Sequence, residues 1–255
     1  MWEAVILGMV QGLTEFFPVS STAHLILFPW FFGWTGLVDT LTFDVALHAG
    51  TLLALLVCFW RDWWELCTRK FRLFGLIILA SVPAGVAGIL LNKLVEHTLR
   101  TPSVIAASLV LAGFVMLASE RIFKHRTIDQ MNAVDALLIG LAQAVALIPG
   151  VSRSGITMSA GMFRGLEREA AVRFSFLLST PIIAGATLLH ARKMISGQAD
   201  YNIPLFAAGF IASAITGYAA IRFLMYFLKK HPLNLFVYYR FLLAGVILAG
   251  MWFKG

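Results

Sequence analysis

Two polar segments interrupt an otherwise apolar sequence, and both carry residues that could do chemistry. The first is QGLTEFFPVSSTAHL at residues 11–25, and the second is LIPGVSRSGITMSAG at residues 147–161. In the first, Ser21 and His24 are three residues apart, so a helix would place them on one face. A hydroxyl beside an imidazole is the pairing of a nucleophile with its base. The alternative is that Ser21 only caps a helix and His24 braces a core.

Arg153 is the notable residue of the second segment. Burying an arginine in a bilayer costs roughly 2.5–3.5 kcal/mol on insertion scales, so its presence there favours a function. Its planar donors suit the oxygens of a phosphate, and Ser152 and Ser154 flank it with hydroxyl groups. The alternative is an ion pair between Arg153 and Glu15 that only braces two parts of the fold.

Glu15 is the only carboxylate of the first segment, and it follows Gln11 by four residues, on the same helical face. It could handle a proton or bind a metal, or it could be a hydrogen-bonded structural carboxylate. His48 lies one apolar stretch later, in FDVALHAG, where a packed core histidine is the favoured interpretation. His48 and Gln11 are therefore secondary candidates. Anchoring or packing roles are expected for Asp135, Tyr218, Arg222 and Arg240.

Helix breaks must position these residues. Pro18 cannot continue a helix interior, and Pro149-Gly150 breaks the second segment in the same way. Free N–H groups and the helix dipole attract anions to the start of each helix that resumes. Both breaks are therefore predicted to aim an anion-binding end at the centre of the protein. The natural N-caps for these helices are Ser20, Ser21, Thr22, Ser152 and Ser154.

The elements around the breaks are predicted to be transmembrane helices. The 255-residue chain is 60% hydrophobic and 13% charged, whereas a soluble domain averages about 25% charged residues. We therefore predict an all-α polytopic membrane protein with about six spans. The net charge of +7 is attributed to positive-inside topology, and no nucleic-acid partner is expected. The stretches that approach the ~20 apolar residues of a spanning helix are 43–60, 73–91, 103–119, 174–191, 203–221 and 233–253.

An internal repeat relates the two polar segments. At an offset of 132 residues Gln11 falls on Gln143, and with one residue deleted Ser21 falls on Ser152. The offset stays nearly constant through the apolar stretches that follow. Chance matching of apolar residues is therefore a poor explanation.

Two homologous halves, at residues 1–125 and 132–255, are predicted to form a single membrane domain over residues 1–255. If each interrupted segment is a re-entrant helical hairpin, each half crosses the membrane three times and the halves have inverted topology. The loops then place thirteen Lys and Arg residues on one face and five on the other. This asymmetry predicts that the richer face is cytoplasmic and that both termini are external.

Several functional classes lack their signatures. The sequence has no Walker loop, no zinc-ligand spacing and no GxGxxG motif, so neither ATP nor a redox cofactor is expected. Two lone cysteines, Cys58 and Cys67, indicate neither a disulfide framework nor a metal site.

The two polar segments, with FDVALHAGTLLALL and FSFLLSTPIIAGAT after them, resemble the bacterial undecaprenyl-pyrophosphate phosphatases of the bacitracin-resistance type. The resemblance runs through essentially the whole chain. It implies an inner-membrane enzyme with inverted repeats and paired re-entrant hairpins, whose site opens to the periplasm. It also implies removal of the terminal phosphate of undecaprenyl diphosphate, which regenerates the monophosphate lipid carrier for peptidoglycan synthesis.

The resemblance also assigns roles to residues. Ser21 would attack the terminal phosphorus with His24 as its base, and the rival assignment makes His24 the nucleophile. Glu15 or His24 would help water to cleave the phosphoserine. The residues expected to hold the phosphates are Ser20, Thr22, Ser152, Arg153, Ser154 and Thr157.

Gln11 departs from the family pattern, because some members carry a second carboxylate at this position. A metal site with two motif carboxylates is therefore not expected. A divalent cation, Mg²⁺ or alternatively Ca²⁺, would bind through Glu15, the substrate phosphates and water.

A transporter is the competing function, because inverted repeats with re-entrant breaks also build carriers. The same residues would then bind and release a polyprenyl phosphate lipid without chemistry. Either function takes a polyprenyl lipid and the bilayer as partners. The sequence does not decide the oligomeric state, and a homodimer is one alternative.

Overall fold

The computed structural model describes residues 1–195 and 202–254, which fold into helices joined by short loops. Within these ranges there is no β-strand. Residues 196–201 and 255 of the predicted second half lie outside the described residues. The α-helices are α1 Trp2–Phe16, α2 Ser21–Phe32, α3 Leu41–Cys58, α4 Trp60–Thr68, α5 Phe71–His97, α6 Pro102–Glu120, α7 Ala133–Val145, α8 Arg153–Phe163, α9 Arg168–Ile195, α10 Ile203–Phe227 and α11 Asn234–Lys254.

Six of the described helices are long and apolar enough to cross a bilayer, namely α3, α5, α6, α9, α10 and α11. They overlap the six predicted spans, so the prediction of an all-α polytopic membrane protein is confirmed. Their outer surfaces carry large apolar side chains, such as Ile89 of α5 and Leu242 of α11. Such surfaces suit contact with lipid, because the backbone polar groups of a helix are satisfied within it.

The four helices that flank the two breaks are shorter, with 15 residues in α1, 12 in α2, 13 in α7 and 11 in α8. At a rise of about 1.5 Å per residue even α1 is only about 22 Å long, less than the ~30 Å hydrocarbon core. These lengths suit helical hairpins that enter and leave on one face. The re-entrant path itself stays a prediction.

Matching contacts relate the two halves. Helix α1 packs against α10, and α7 packs against α5. Glycines permit both close approaches: a Cβ on Gly8 would lie 2.8 Å from the Ala212 Cβ, and a Cβ on Gly140 would lie 2.9 Å from the Ala80 Cα. Gly8 and Gly140 are 132 residues apart, and so are Ala80 and Ala212. This correspondence supports the repeat, which stays a prediction together with its bounds.

Asp135 ties together helix ends in the basic loops. It lies near the start of α7, outside the six spans, and it is fully buried. Its carboxylate accepts hydrogen bonds from Arg126 at 2.6 Å and from Arg164 at 2.8 Å. Burial raises the pKa of Asp135, but the hydrogen bonds from the two arginines outweigh burial and lower the pKa to about 2. Asp135 therefore has the anchoring role expected of it.

Candidate active site

Residues from both polar segments meet around a cavity of about 180 Å³. The remaining wall is mostly apolar and comes from α3, α5, α9 and the end of α7. A polar cluster with an apolar wall suits a molecule that has a charged head and an apolar tail. The predicted site residues that line the cavity are Glu15, Ser20, Ser21, Thr22, His48, Ser152 and Arg153.

The two breaks share one local geometry. Ser20 precedes α2 with φ of 76°, Ser152 precedes α8 with φ of 72°, and among the described residues no other non-glycine residue has a positive φ. Each serine caps its helix: Ser20 Oγ accepts from Ala23 N at 3.4 Å, and Ser152 Oγ accepts from Gly155 N at 3.2 Å. The predicted alignment of Ser21 with Ser152 is therefore wrong by one residue. Such left-handed backbone costs about 1–3 kcal/mol per residue and clusters at functional sites.

Direct hydrogen bonds join one break to the other. The Gly150 N–H donates to Ser20 Oγ at 3.2 Å, and Ser154 Oγ donates to the Phe17 carbonyl at 3.3 Å. Both bonds are between residues more than 120 positions apart in the chain. The start of α2 and the start of α8 are therefore held in a fixed relation.

Arg240 of α11 fastens both breaks from behind. Its side chain is fully buried, and its guanidinium donates to the carbonyls of Pro18 at 3.1 Å, Gly150 at 2.8 Å and Val151 at 3.1 Å. Its Nε donates to the Leu109 carbonyl of α6 at 3.1 Å. The guanidinium is thus occupied by backbone oxygens, so Arg240 has the packing role expected of it.

The Glu15 carboxylate lies at the centre of the polar wall. Its Oε2 accepts hydrogen bonds from Ser21 Oγ at 2.6 Å and from Gln11 Nε2 at 2.9 Å, and it lies 3.3 Å from His48 Nδ1. The same His48 nitrogen lies 2.7 Å from Gln11 Nε2. His48 therefore belongs to this cluster, although the sequence favoured a core role for it. A carboxylate this close to a hydroxyl can take the proton when the hydroxyl oxygen attacks.

Arg153 contacts a carboxylate and also lines the cavity. Its Nη2 pairs with Glu15 Oε1, which is the bracing contact that the sequence left as an alternative. The Arg153 side chain nevertheless keeps 17% of its surface exposed. A guanidinium has five N–H donors, so the pair with Glu15 leaves donors for an anion. Bracing and anion binding are therefore compatible.

His24 is bonded away from Ser21. Its Nδ1 lies 2.7 Å from the Ser20 carbonyl and donates to it, and its Nε2 lies 2.7 Å from the Tyr239 hydroxyl. The side chains that line the cavity do not include His24 among the described residues. The expected pairing of Ser21 with His24 is therefore replaced by the pairing of Ser21 with Glu15, because the backbone and Tyr239 hold the imidazole.

Ser154 and Thr157 lie behind the cavity rather than in its wall. Thr157 Oγ1 donates to the Arg153 carbonyl at 2.7 Å and lies 2.6 Å from Ser175 Oγ of α9. Ser154 Oγ is bonded to the Phe17 carbonyl, as described above. Both hydroxyls are buried and satisfied by protein groups. The structure thus gives them a bracing role at α8 in place of the expected contact with phosphate.

Sequence reasoning missed Gln143 and Tyr239. Gln143 lines the cavity, and Tyr239 holds the imidazole of His24. A signal for Gln143 existed, because it falls on Gln11 at the repeat offset of 132 residues. No local signal marks Tyr239, which is 215 residues from His24 in the chain.

Glu15 is the one carboxylate that lines the cavity in the described part of the chain. Over the same residues, no three His, Cys, Asp or Glu side chains come together as a metal-binding group. Mg²⁺ commonly binds through one or two carboxylates together with substrate phosphates and water. Glu15 with His48 beside it fits that kind of site, in which the substrate supplies several of the ligands.

Fold and site together define a multi-pass membrane protein whose central cavity combines a serine, a carboxylate and an arginine. The chain belongs to the family of bacitracin resistance protein BacA, whose family model matches residues 4–246. Similar proteins from three bacteria are each named undecaprenyl-diphosphatase. That of Thermodesulfovibrio yellowstonii is 52% identical, covering 100% of this chain and 98% of its own. That of Desulforudis audaxviator is 47% identical, covering 97% and 96%, and that of Moorella thermoacetica is 46% identical, covering 99% and 98%.

Proposed function

We propose that this protein is a membrane-embedded hydrolase that removes the terminal phosphate of undecaprenyl diphosphate and releases undecaprenyl phosphate. The observation that carries the proposal is the hydroxyl of Ser21, 2.6 Å from a Glu15 carboxylate that also pairs with Arg153 in the cavity wall. Membership of the BacA family and the names of the full-length relatives support it.

The diphosphate is held by charge and by hydrogen-bond donors. Arg153 offers its guanidinium, Thr22 and Ser152 lie in the same wall, and α2 and α8 both start at the cavity. Anions are stabilised at helix starts by free N–H groups and the dipole. As a phosphate engages Arg153, the guanidinium shifts from Glu15 toward the phosphate oxygens. The freed carboxylate then becomes a better proton acceptor, because its positive neighbour has moved away.

The reaction takes place in two transfers at phosphorus. Ser21 Oγ attacks the terminal phosphorus while its proton moves to Glu15, and the bond to the bridging oxygen breaks. Glu15 passes that proton to the departing lipid monophosphate. Water then attacks the phosphoserine and gives one proton to Ser21 Oγ through Glu15, and inorganic phosphate leaves. Positioning and charge neutralisation are the main requirements of phosphoryl transfer, and this cluster supplies both.

A divalent cation, Mg²⁺ or Ca²⁺, would be held by Glu15, the substrate phosphates and water. When bound, it would neutralise charge that develops on the phosphate oxygens. His48 lies beside this carboxylate and orients it.

The site is proposed to lie in the bacterial inner membrane and to open to the periplasm. The charge asymmetry of the loops supports this orientation, with thirteen basic residues on the proposed cytoplasmic side and five on the other. The apolar wall of the cavity, which includes Val45, Ala84 and Ile183, would accept the start of the isoprenyl tail.

The deciding experiment is phosphate release by the purified protein in detergent, with and without a chelator. Detergent removes the second compartment, so a transporter would release no inorganic phosphate from undecaprenyl diphosphate. We expect release that depends on the protein and that falls when the chelator is added. Absence of release under all metal conditions would contradict the hydrolase and favour the transporter.

A further inference from the structure

Gln143 of α7 places an unpartnered amide in the wall of the cavity. Only 2% of the residue is exposed, yet neither Nε2 nor Oε1 has a hydrogen-bond partner within the described residues. The large majority of buried side-chain polar atoms in proteins are hydrogen-bonded, and each exception calls for an explanation. The same cavity wall includes Ser21 and Arg153, so this amide faces the proposed reaction centre.

Gln11 shows what the same residue does when its partner comes from the protein. It is the repeat counterpart of Gln143, and its Nε2 lies 2.9 Å from Glu15 and 2.7 Å from His48. The residues that follow the repeat offset from Glu15 and His48 are Leu147 and, with the one-residue deletion, Ser179. A leucine cannot bond an amide, and Ser179 Oγ donates to the Ser175 carbonyl. Gln143 therefore keeps a polar group whose partner the second half does not supply.

We propose that Gln143 contacts the reacting groups: its Nε2 donates to an oxygen of the terminal phosphate, and its Oε1 accepts from the water that hydrolyses the phosphoserine. This inference rests on the proposed function for the identity of the reaction. An amide can make both contacts at once, because it has a donor and an acceptor on one rigid plane. Glutamine side chains position the attacking water in other phosphoryl-transfer enzymes. The water oxygen bonds to phosphorus, the bond to Ser21 Oγ breaks, and the proton goes to that oxygen through Glu15.

The test compares Gln143→Met with a matched control, Ser159→Ala. Methionine keeps the length of the side chain and removes its hydrogen bonds. Ser159 lies in α8 outside the cavity, and its buried hydroxyl also has no partner within the described residues. Both substitutions remove an unsatisfied polar group, so neither should lower the melting temperature in detergent. We expect Ser159→Ala to keep normal phosphate release and Gln143→Met to lose at least about tenfold, with phosphoserine accumulating at Ser21.

A second readout separates this inference from the proposed function. Farnesyl diphosphate is added as a short-chain ligand, and the rise in melting temperature is compared between wild type and variant. If the wild type releases no phosphate but only Gln143→Met loses the ligand-induced rise, the hydrolase fails and the phosphate contact of Gln143 holds. If Gln143→Met keeps both normal phosphate release and the normal rise, the inference is overturned. A lower melting temperature for Gln143→Met without ligand would also overturn it, because that result indicates a structural role.

Discussion

Replacing Glu15 with glutamine, Glu15→Gln, removes one negative charge from the site and keeps the size of the side chain. In the wild type the carboxylate accepts from Ser21 at 2.6 Å and pairs with Arg153. A neutral amide can still bond to Ser21, but it cannot take its proton. The change therefore isolates proton transfer from shape.

The size of the effect follows from these contacts. General-base catalysis contributes about 10²- to 10⁴-fold, which corresponds to about 2.7–5.4 kcal/mol of barrier. Arg153 loses its counter-charge in the variant, so its guanidinium is freer to bind phosphate. We therefore expect kcat to fall by at least about 10²-fold while KM does not rise.

The assay is steady-state phosphate release in detergent at several concentrations of undecaprenyl diphosphate. The matched control is Asp135→Asn, which also converts a buried carboxylate to an amide but lies outside the cavity. The control should lower stability and leave kcat per folded protein unchanged. A Glu15→Gln variant with kcat within about tenfold of wild type would refute the proton-transfer role, since a general base contributes more than that.

Two further predictions concern the elements that hold the site. Arg240→Met leaves the carbonyls of Pro18, Gly150 and Val151 without their donor, so we expect a loss of at least about 3 kcal/mol of folding stability; an unchanged melting temperature and activity would contradict this fastening role. The pKa of Asp135 is about 2 in the folded protein, below the ordinary value of about 3.9, so its stabilisation is complete above that ordinary value and is lost as pH falls through about 2. The difference in melting temperature between wild type and Asp135→Asn should therefore narrow between about pH 6 and about pH 2, and a constant difference would show that its charge does not stabilise the fold.

The helices and their breaks could be predicted because their signals are local. Apolar runs of about 20 residues indicate spans, and Pro18 and Pro149 end helices wherever they stand in an interior. The same reasoning brought Glu15, Ser21 and Arg153 to one place, because each lies beside a break. These predictions needed only the order of residues along the chain.

The partners within the site could not be predicted in the same way. Ser21 and His24 share a helical face by spacing, yet the imidazole is held by the Ser20 carbonyl and by Tyr239, far away in the chain. The unpartnered state of Gln143 is likewise a property of the packed structure. Spacing along a helix says which residues are neighbours, and tertiary contacts decide which neighbour accepts the hydrogen bond.

The most direct test of the central mechanism is to locate the phosphate on an acid-quenched enzyme. The protein is mixed with undecaprenyl diphosphate, quenched in acid within the first turnover, digested and examined by mass spectrometry. We predict phosphoserine at Ser21, and neither phosphoenzyme nor phosphate release in Ser21→Ala. An acid-labile adduct at His24, or a Ser21→Ala variant that turns over normally, would contradict attack by Ser21.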